Sequence, residues 1–220
     1  MTHMQTKSKT VVAVFAHPDD EAFGPSGTLA KLSKKNDVYL LCATKGEAGG
    51  NQKKLAQIRA QELKESAKII GIKKVYFLGF KDGHLSNSVY HALAEKIEKK
   101  LKELKPHTVM TFEPRGVSGH IDHITVSMVT TFVFHKLPFV KTLLYYCIRQ
   151  DERRKTSDYF IYFPPGYKDS EIDKTVNIKD VWETKVKAMK MHKSQIHDAK
   201  RILKMLKYLP KEEYFLEVKK

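Results

Sequence analysis

The sequence predicts a doubly wound α/β fold, a mostly parallel sheet with helices on both faces. Three observations carry that expectation. Apolar runs alternate regularly with helical periods along the chain. The first run, Val11-Val12-Ala13-Val14-Phe15, is uninterrupted, as in a buried strand. The length of 220 residues suits one domain large enough to bury its apolar surface without staples.

Taken in order, strands are expected near 10–16, 38–43, 74–79, 107–112 and 142–148, with helices between them. The stretch 53–70 places Leu55, Ile58, Leu63, Ala67 and Ile70 on one stripe and stops at Gly71, a good helix terminator. Val89, Leu93, Ile97, Leu101 and Leu104 recur at helical spacing, and Pro106 closes that helix before the next strand. A further helix is expected over 124–134 and a last one from about 179 to 206, with Asp180 as cap and Val181, Trp182, Val186 and Met189 available for burial. Tyr159-Phe160-Ile161-Tyr162-Phe163 reads as an additional strand broken by Pro164-Pro165-Gly166. Residues 1–9 are set aside as a flexible N-terminal segment, and 10–220 form one domain without internal repeats.

Composition narrows the function classes. The two cysteines, Cys42 and Cys147, lie in apolar strands, so buried free thiols and a reducing, cytoplasmic setting are expected. No apolar run approaches the roughly 20 residues of a membrane helix, and no membrane insertion is expected. The formal net charge of +15 invites a polyanion reading, yet only six of the forty basic residues are Arg, the residue favoured for bidentate phosphate and base contacts. The lysines are spread over helix surfaces. A solvated basic surface that draws in an anionic substrate is therefore favoured over specific nucleic-acid binding.

Chemistry concentrates at two strand ends. Ala16-His17-Pro18-Asp19-Asp20-Glu21 follows the first apolar run, and Gly119-His120-Ile121-Asp122-His123 follows Thr108-Val109-Met110-Thr111-Phe112. Open parallel sheets bring the carboxyl ends of distant strands into one crevice, so the two loops can meet. A His and two carboxylates within four positions can hold a divalent ion and leave one acid to move a proton. If Asp20 binds beside His17, the adjacent Asp19 cannot point at the same spot and becomes the natural general base. His120 and His123 are three apart, so one can complete the metal site while the other faces substrate, and Asp122 can orient an imidazole.

These residues together resemble the PIG-L/LmbE-like family of zinc-dependent N-acetylglucosaminyl deacetylases. Thr44-Lys45-Gly46-Glu47-Ala48-Gly49, Ile58-Arg59-Ala60-Gln61-Glu62-Leu63, Leu78-Gly79-Phe80-Lys81-Asp82-Gly83 and the run from Lys187-Ala188-Met189 to His192-Lys193-Ser194-Gln195 extend the resemblance from about Val11 to Gln195. The family's usual Pro inside the second motif is Ile121 here. The resemblance implies a Rossmann-like sheet and hydrolysis of an N-acetyl group on a glucosamine-containing conjugate, giving acetate and a free amine. It implies His17, Asp20 and His123 as zinc ligands and Asp19 as general base. It further implies His120 as oxyanion stabiliser or general acid and Arg59 and Asp82 as substrate contacts; Asp122 is counted with the catalytic residues as the orienter of an imidazole, and His192 is a further candidate for reaching substrate. Glu21 is read as a loop support.

Two histidines and one carboxylate also suit iron, manganese or cobalt. The expected partner is a small amino-sugar conjugate, and the protein is expected to be a homo-oligomer. One rival keeps the site and changes the amide to another small N-acyl conjugate. A second rival is a non-catalytic polyanion binder on the same fold, suggested by the charge and by Gly24-Pro25-Ser26-Gly27, although that loop has neither dinucleotide nor P-loop spacing.

Overall fold

The computed structural model describes residues 8–150 and 161–220. Seven strands form one sheet in the order β3-β2-β1-β4-β5-β7-β6. They are β1 (Thr10–Phe15), β2 (Asp37–Cys42), β3 (Lys74–Phe77), β4 (Thr108–Phe112), β5 (Thr142–Cys147), β6 (Lys174–Asn177) and β7 (Glu212–Lys219). The first five run parallel, and β7 joins β5 antiparallel and carries β6 at the edge. The chain moves outward from β1 through β2 and β3, then returns to the other side of β1 with β4. The switch point of the sheet therefore lies between the carboxyl ends of β1 and β4, where such sheets bind ligands.

Among the described residues, eight helices pack around the sheet: α1 (Asp20–Phe23), α2 (Ser26–Ser33), α3 (Leu55–Ile70), α4 (Tyr90–Leu104), α5 (Gly116–Gly119), α6 (Ile121–Lys136), α7 (Trp182–Met191) and α8 (Ile196–Leu206). Strand alternation divides the core in two. Val11, Ala13 and Phe15 of β1 pack with Leu63, Ala67 and Ile70 of α3 and Ala188 and Met189 of α7. Val12 and Val14 pack on the opposite face with Leu93, Ile97 and Leu101 of α4 and Val126, Val129 and Val133 of α6. The central strand is thus buried on both faces, which is why its sequence is continuously apolar. Gly71 ends α3 at φ 91°, its N–H donating to the carbonyls of Ala67 and Lys68. Both cysteines are free and buried.

The C-terminal third departs from expectation. The single helix expected over 179–206 is two helices, parted at His192, and 3₁₀ turns occupy Lys179–Val181 and Lys193–Gln195. The strand expected at 159–163 falls partly outside the described residues, and 161–163 belong to no strand. Strands β6 and β7 instead fill that side of the sheet. Glu213 of β7 is buried and accepts hydrogen bonds from the N–H groups of Gly27 (2.9 Å) and Thr28 (2.6 Å), so it caps the start of α2. Lys185 of α7 pairs with the same carboxylate at 2.7 Å and donates to the Gly24 carbonyl.

Candidate metal centre and active site

The β1–α1 turn supplies His17, Asp19 and Asp20. Asp19 caps α1 at φ 108°, a strained setting for a residue with a side chain. The turn between β4 and α6 supplies the histidines. Its backbone is tight: Gly116 sits at φ 69°, and a Cβ there would lie 2.9 Å from the His123 Cβ. Glu113, buried after β4, holds this turn by accepting from the N–H groups of Arg115 and Val117 and from the Tyr167 hydroxyl, each at 2.8 Å. His120 is the cap of α6, with its Nδ1 accepting from the Asp122 N–H at 3.2 Å.

Hydrogen bonds fix where the imidazole lone pairs point. His17 Nε2 lies 2.9 Å from Asp82 Oδ1 and 3.1 Å from Asp122 Oδ2, so its proton belongs on Nε2 and Nδ1 is left as an acceptor. His123 Nδ1 lies 3.1 Å from the Gly116 carbonyl and must donate to it, which leaves Nε2 as the acceptor. These two acceptor nitrogens face each other at 3.1 Å, and Asp20 Oδ1 is 3.2 Å from His123 Nε2. The other Asp20 oxygen takes the N–H groups of Ala16 (3.0 Å) and His17 (2.8 Å), which pins the carboxylate in place. His123 Nε2 thus has an acceptor nitrogen and a carboxylate oxygen as neighbours, with Asp20 Oδ2 3.9 Å from His17 Nδ1, and such a gathering of acceptors suits a cation.

Electrostatics agree. Burial pulls the His17 pKa down, but the hydrogen bonds to Asp122 and Asp82 and the Asp20 charge push it up to about 10, so its surroundings favour positive charge. Burial raises Asp20, yet His123 and His17 hold it well below the usual carboxylate range. The donor set of two imidazoles and a carboxylate fits a divalent transition metal. His17 also lies close enough to hold an ion with His120 and His123, and so does an acidic set, His17 with Asp82 and Asp122. It uses the opposite nitrogen of the same ring, and its carboxylates already accept from Gly83, Leu85 and Ala48 N–H groups. Asp82 and Asp122 therefore act as orienters of His17, the usual partners of a metal-ligating histidine.

Asp19 stands beside this centre. Its carboxyl group is pushed up to about 6 by burial, with the Arg59 charge pulling the other way. Arg59 of α3 donates from Nη2 to Asp19 Oδ2 (3.0 Å) and the Pro18 carbonyl (2.7 Å), and from Nη1 to the Gly46 carbonyl (2.7 Å). The glycines of the β2–α3 loop let it approach, since a Cβ on Gly46 would lie 2.4 Å from the Arg59 Cζ. Glu21 is fully buried and holds the Asp19 N–H at 3.1 Å. Its other oxygen accepts from Ser66 Oγ at 2.5 Å and pairs with His192 Nε2 at 2.8 Å.

The structure thus brings His17, Asp19, Asp20, Arg59, Asp82, His120, Asp122 and His123 together. It places His192 elsewhere. That side chain is fully buried behind Glu21 and does not line the cavity, so it supports the Asp19 turn rather than meeting substrate. Arg59 and Asp82 do line the cavity: Arg59 is bonded to Asp19 and the Pro18 and Gly46 carbonyls while its buried Nε has no partner among the described residues, and Asp82 is bonded to His17 and the Ala48 N–H. Glu113, Ser66 and Glu62, which accepts from Ser194 N–H and Oγ, were not singled out from sequence. Polar residues on the inward stripe of α3 were the available signal.

A doubly wound sheet with a His/carboxylate cluster able to hold a metal ion at its switch point, beside a part-buried acid, fits the metal-dependent hydrolase class. The chain matches the model of the PIG-L family, GlcNAc-PI de-N-acetylase, over residues 12–134, and it belongs to that family. It is 30% identical over 195 residues to the probable N-acetyl-alpha-D-glucosaminyl L-malate deacetylase 2 of Bacillus cereus, covering 84% of this chain and 83% of that one. It is 30% identical over 220 residues to the 1D-myo-inositol 2-acetamido-2-deoxy-alpha-D-glucopyranoside deacetylase of Corynebacterium glutamicum, covering 84% and 74%. Among solved structures, the N,N'-diacetylchitobiose deacetylase of Pyrococcus horikoshii has a TM-score of 0.69 at 24% identity over 97% of this chain and 85% of that chain, which shows the shared fold. Among the described residues, no helix is long and apolar enough to cross a membrane.

Proposed function

We propose that the protein is a metal-dependent N-deacetylase that hydrolyses the acetamide of an N-acetylglucosamine-containing conjugate, giving acetate and a free amine. The grouping of His17, His123 and Asp20 beside the part-buried Asp19 carboxylate carries this reading. Those three side chains would hold the ion, and zinc is the metal that best suits two imidazoles and one carboxylate. When bound, the ion supplies Lewis acidity to the amide carbonyl and to water at the reacting carbon.

The chain's own groups supply the proton traffic. Asp19 takes a proton from the attacking water as the new C–O bond forms, and Arg59 and Glu21 keep that carboxylate aimed into the cavity. His120 accepts the Asp122 N–H on Nδ1, so its proton sits on Nε2. Burial, then the neighbouring His123 and His17 charges, lower its pKa to about 4, so this ring acts as a neutral donor toward the oxyanion. Breaking the C–N bond returns the proton from Asp19 to the departing amine.

The test is acetate release over a panel of N-acetylglucosamine conjugates, with and without chelator. The reading expects activity that chelation removes and zinc restores. Turnover indifferent to both treatments would contradict it.

A further inference from the structure

The reacting groups occupy only the floor of a cavity of about 670 Å³, a size that suits a drug-sized ligand rather than one sugar ring. Above the floor the lining changes character. Phe23, Val117 and Ile148 contribute to it, together with Ile202, Met205 and Leu206 of α8. Helix α8 is strongly amphipathic, yet only Ala199 in it is fully buried. Ile202, Met205 and Leu206 stay half-buried along the cavity, while Lys200 points to solvent.

Lys204 and Tyr208, both exposed, share this lining, and the other polar side chains along it are paired. Asp198 pairs with Arg201 at 3.0 Å, and the Gln195 amide donates to the carbonyls of Gly49 and Ser194. A hydroxy acid or polyol lying here would surrender hydration to an apolar wall with few partners. An apolar group would gain from the same burial.

We propose that the α8 wall binds the non-sugar part of the substrate, and that this part is an aryl or alkyl group. The inference rests on the deacetylase reading for the sugar end and adds the chemical class of the aglycone. The same cavity that holds the reacting residues continues into this wall, so the occupant is the remainder of the bound conjugate.

The test compares methyl, phenyl and hexyl glycosides of N-acetylglucosamine by kcat/KM and by calorimetric dissociation constant on the metal-loaded protein. Each methylene that becomes buried is worth up to about fourfold. The hexyl-to-methyl ratio is therefore expected to exceed tenfold in the wild type, to collapse in Met205→Glu and Leu206→Glu, and to persist in the outward-facing control Lys200→Glu. A flat series in both measurements, or a ratio that survives both wall variants, overturns the proposal. If no glycoside releases acetate but hexyl binds more tightly than methyl and Met205→Glu abolishes the difference, the deacetylase reading falls and the apolar subsite stands.

Discussion

Arg59 Nη2 and Asp19 Oδ2 lie 3.0 Å apart, and the same guanidinium ties down the carbonyls on either side of the cavity floor, Pro18 and Gly46. One buried cation thus sets both the direction and the acidity of the proposed base. Removing its charge takes away a force that lowers the Asp19 pKa. Arg59→Met is expected to move the acid limb of kcat/KM to higher pH and to cut the plateau about 100-fold, since a misplacement of ~1 Å has that effect. An unmoved acid limb in a pH–rate profile would separate Arg59 from Asp19 function.

Asp19 itself is proposed to move the proton without holding the ion. Asp19→Asn keeps the shape and is expected to lower kcat by about 10²–10⁴-fold while metal content stays at the wild-type level. Mass-spectrometric metal analysis beside turnover separates the roles. Loss of metal together with activity would make Asp19 a ligand.

Glu21 holds the strained Asp19 backbone from behind, fixed in turn by Ser66 and His192. Glu21→Gln is expected to lower kcat about 10–100-fold with little change in KM, because the base is displaced and the cavity is not. A pure KM effect would point to substrate contact instead.

The Lys185–Glu213 pair joins α7 to β7, and both side chains are buried. Removing one partner of such a pair leaves an uncompensated charge and costs about 3–5 kcal/mol. Lys185→Met is therefore expected to lower Tm by roughly 6–20 °C for a domain of this size. A calorimetric Tm within about 2 °C of wild type would show that the pair is not needed to hold α7 on the sheet.

The parallel half of the fold was legible because its strands are buried on both faces and read as unbroken apolar runs, as in Val11–Phe15 of β1. The edge beyond β5 was not. Strand β7, Glu-Glu-Tyr-Phe-Leu-Glu-Val-Lys, carries four charged residues in its eight positions, and β6 is only four residues long. The break at His192 has no glycine or proline to announce it. It is set by Glu21 on one side and by Glu62 gripping Ser194 on the other. At the site, the two strand-end clusters were visible as sequence. The pairing of Asp82 with His17 was not, because Asp82-Gly83 looks like any turn until the sheet brings β3 and β1 to the same end. Glu62 and Ser66 were hidden for a related reason, as was the bond from Arg59 to Asp19: on a charged helix, inward and outward polar residues look alike.

The most direct measurement is anomalous diffraction at the zinc edge from crystals of the metal-loaded protein. The account predicts one peak about 2.0–2.2 Å from His17 Nδ1, His123 Nε2 and Asp20 Oδ1, with Asp19 outside bonding distance. A peak on the other nitrogen of His17, between Asp82 and Asp122, would contradict it.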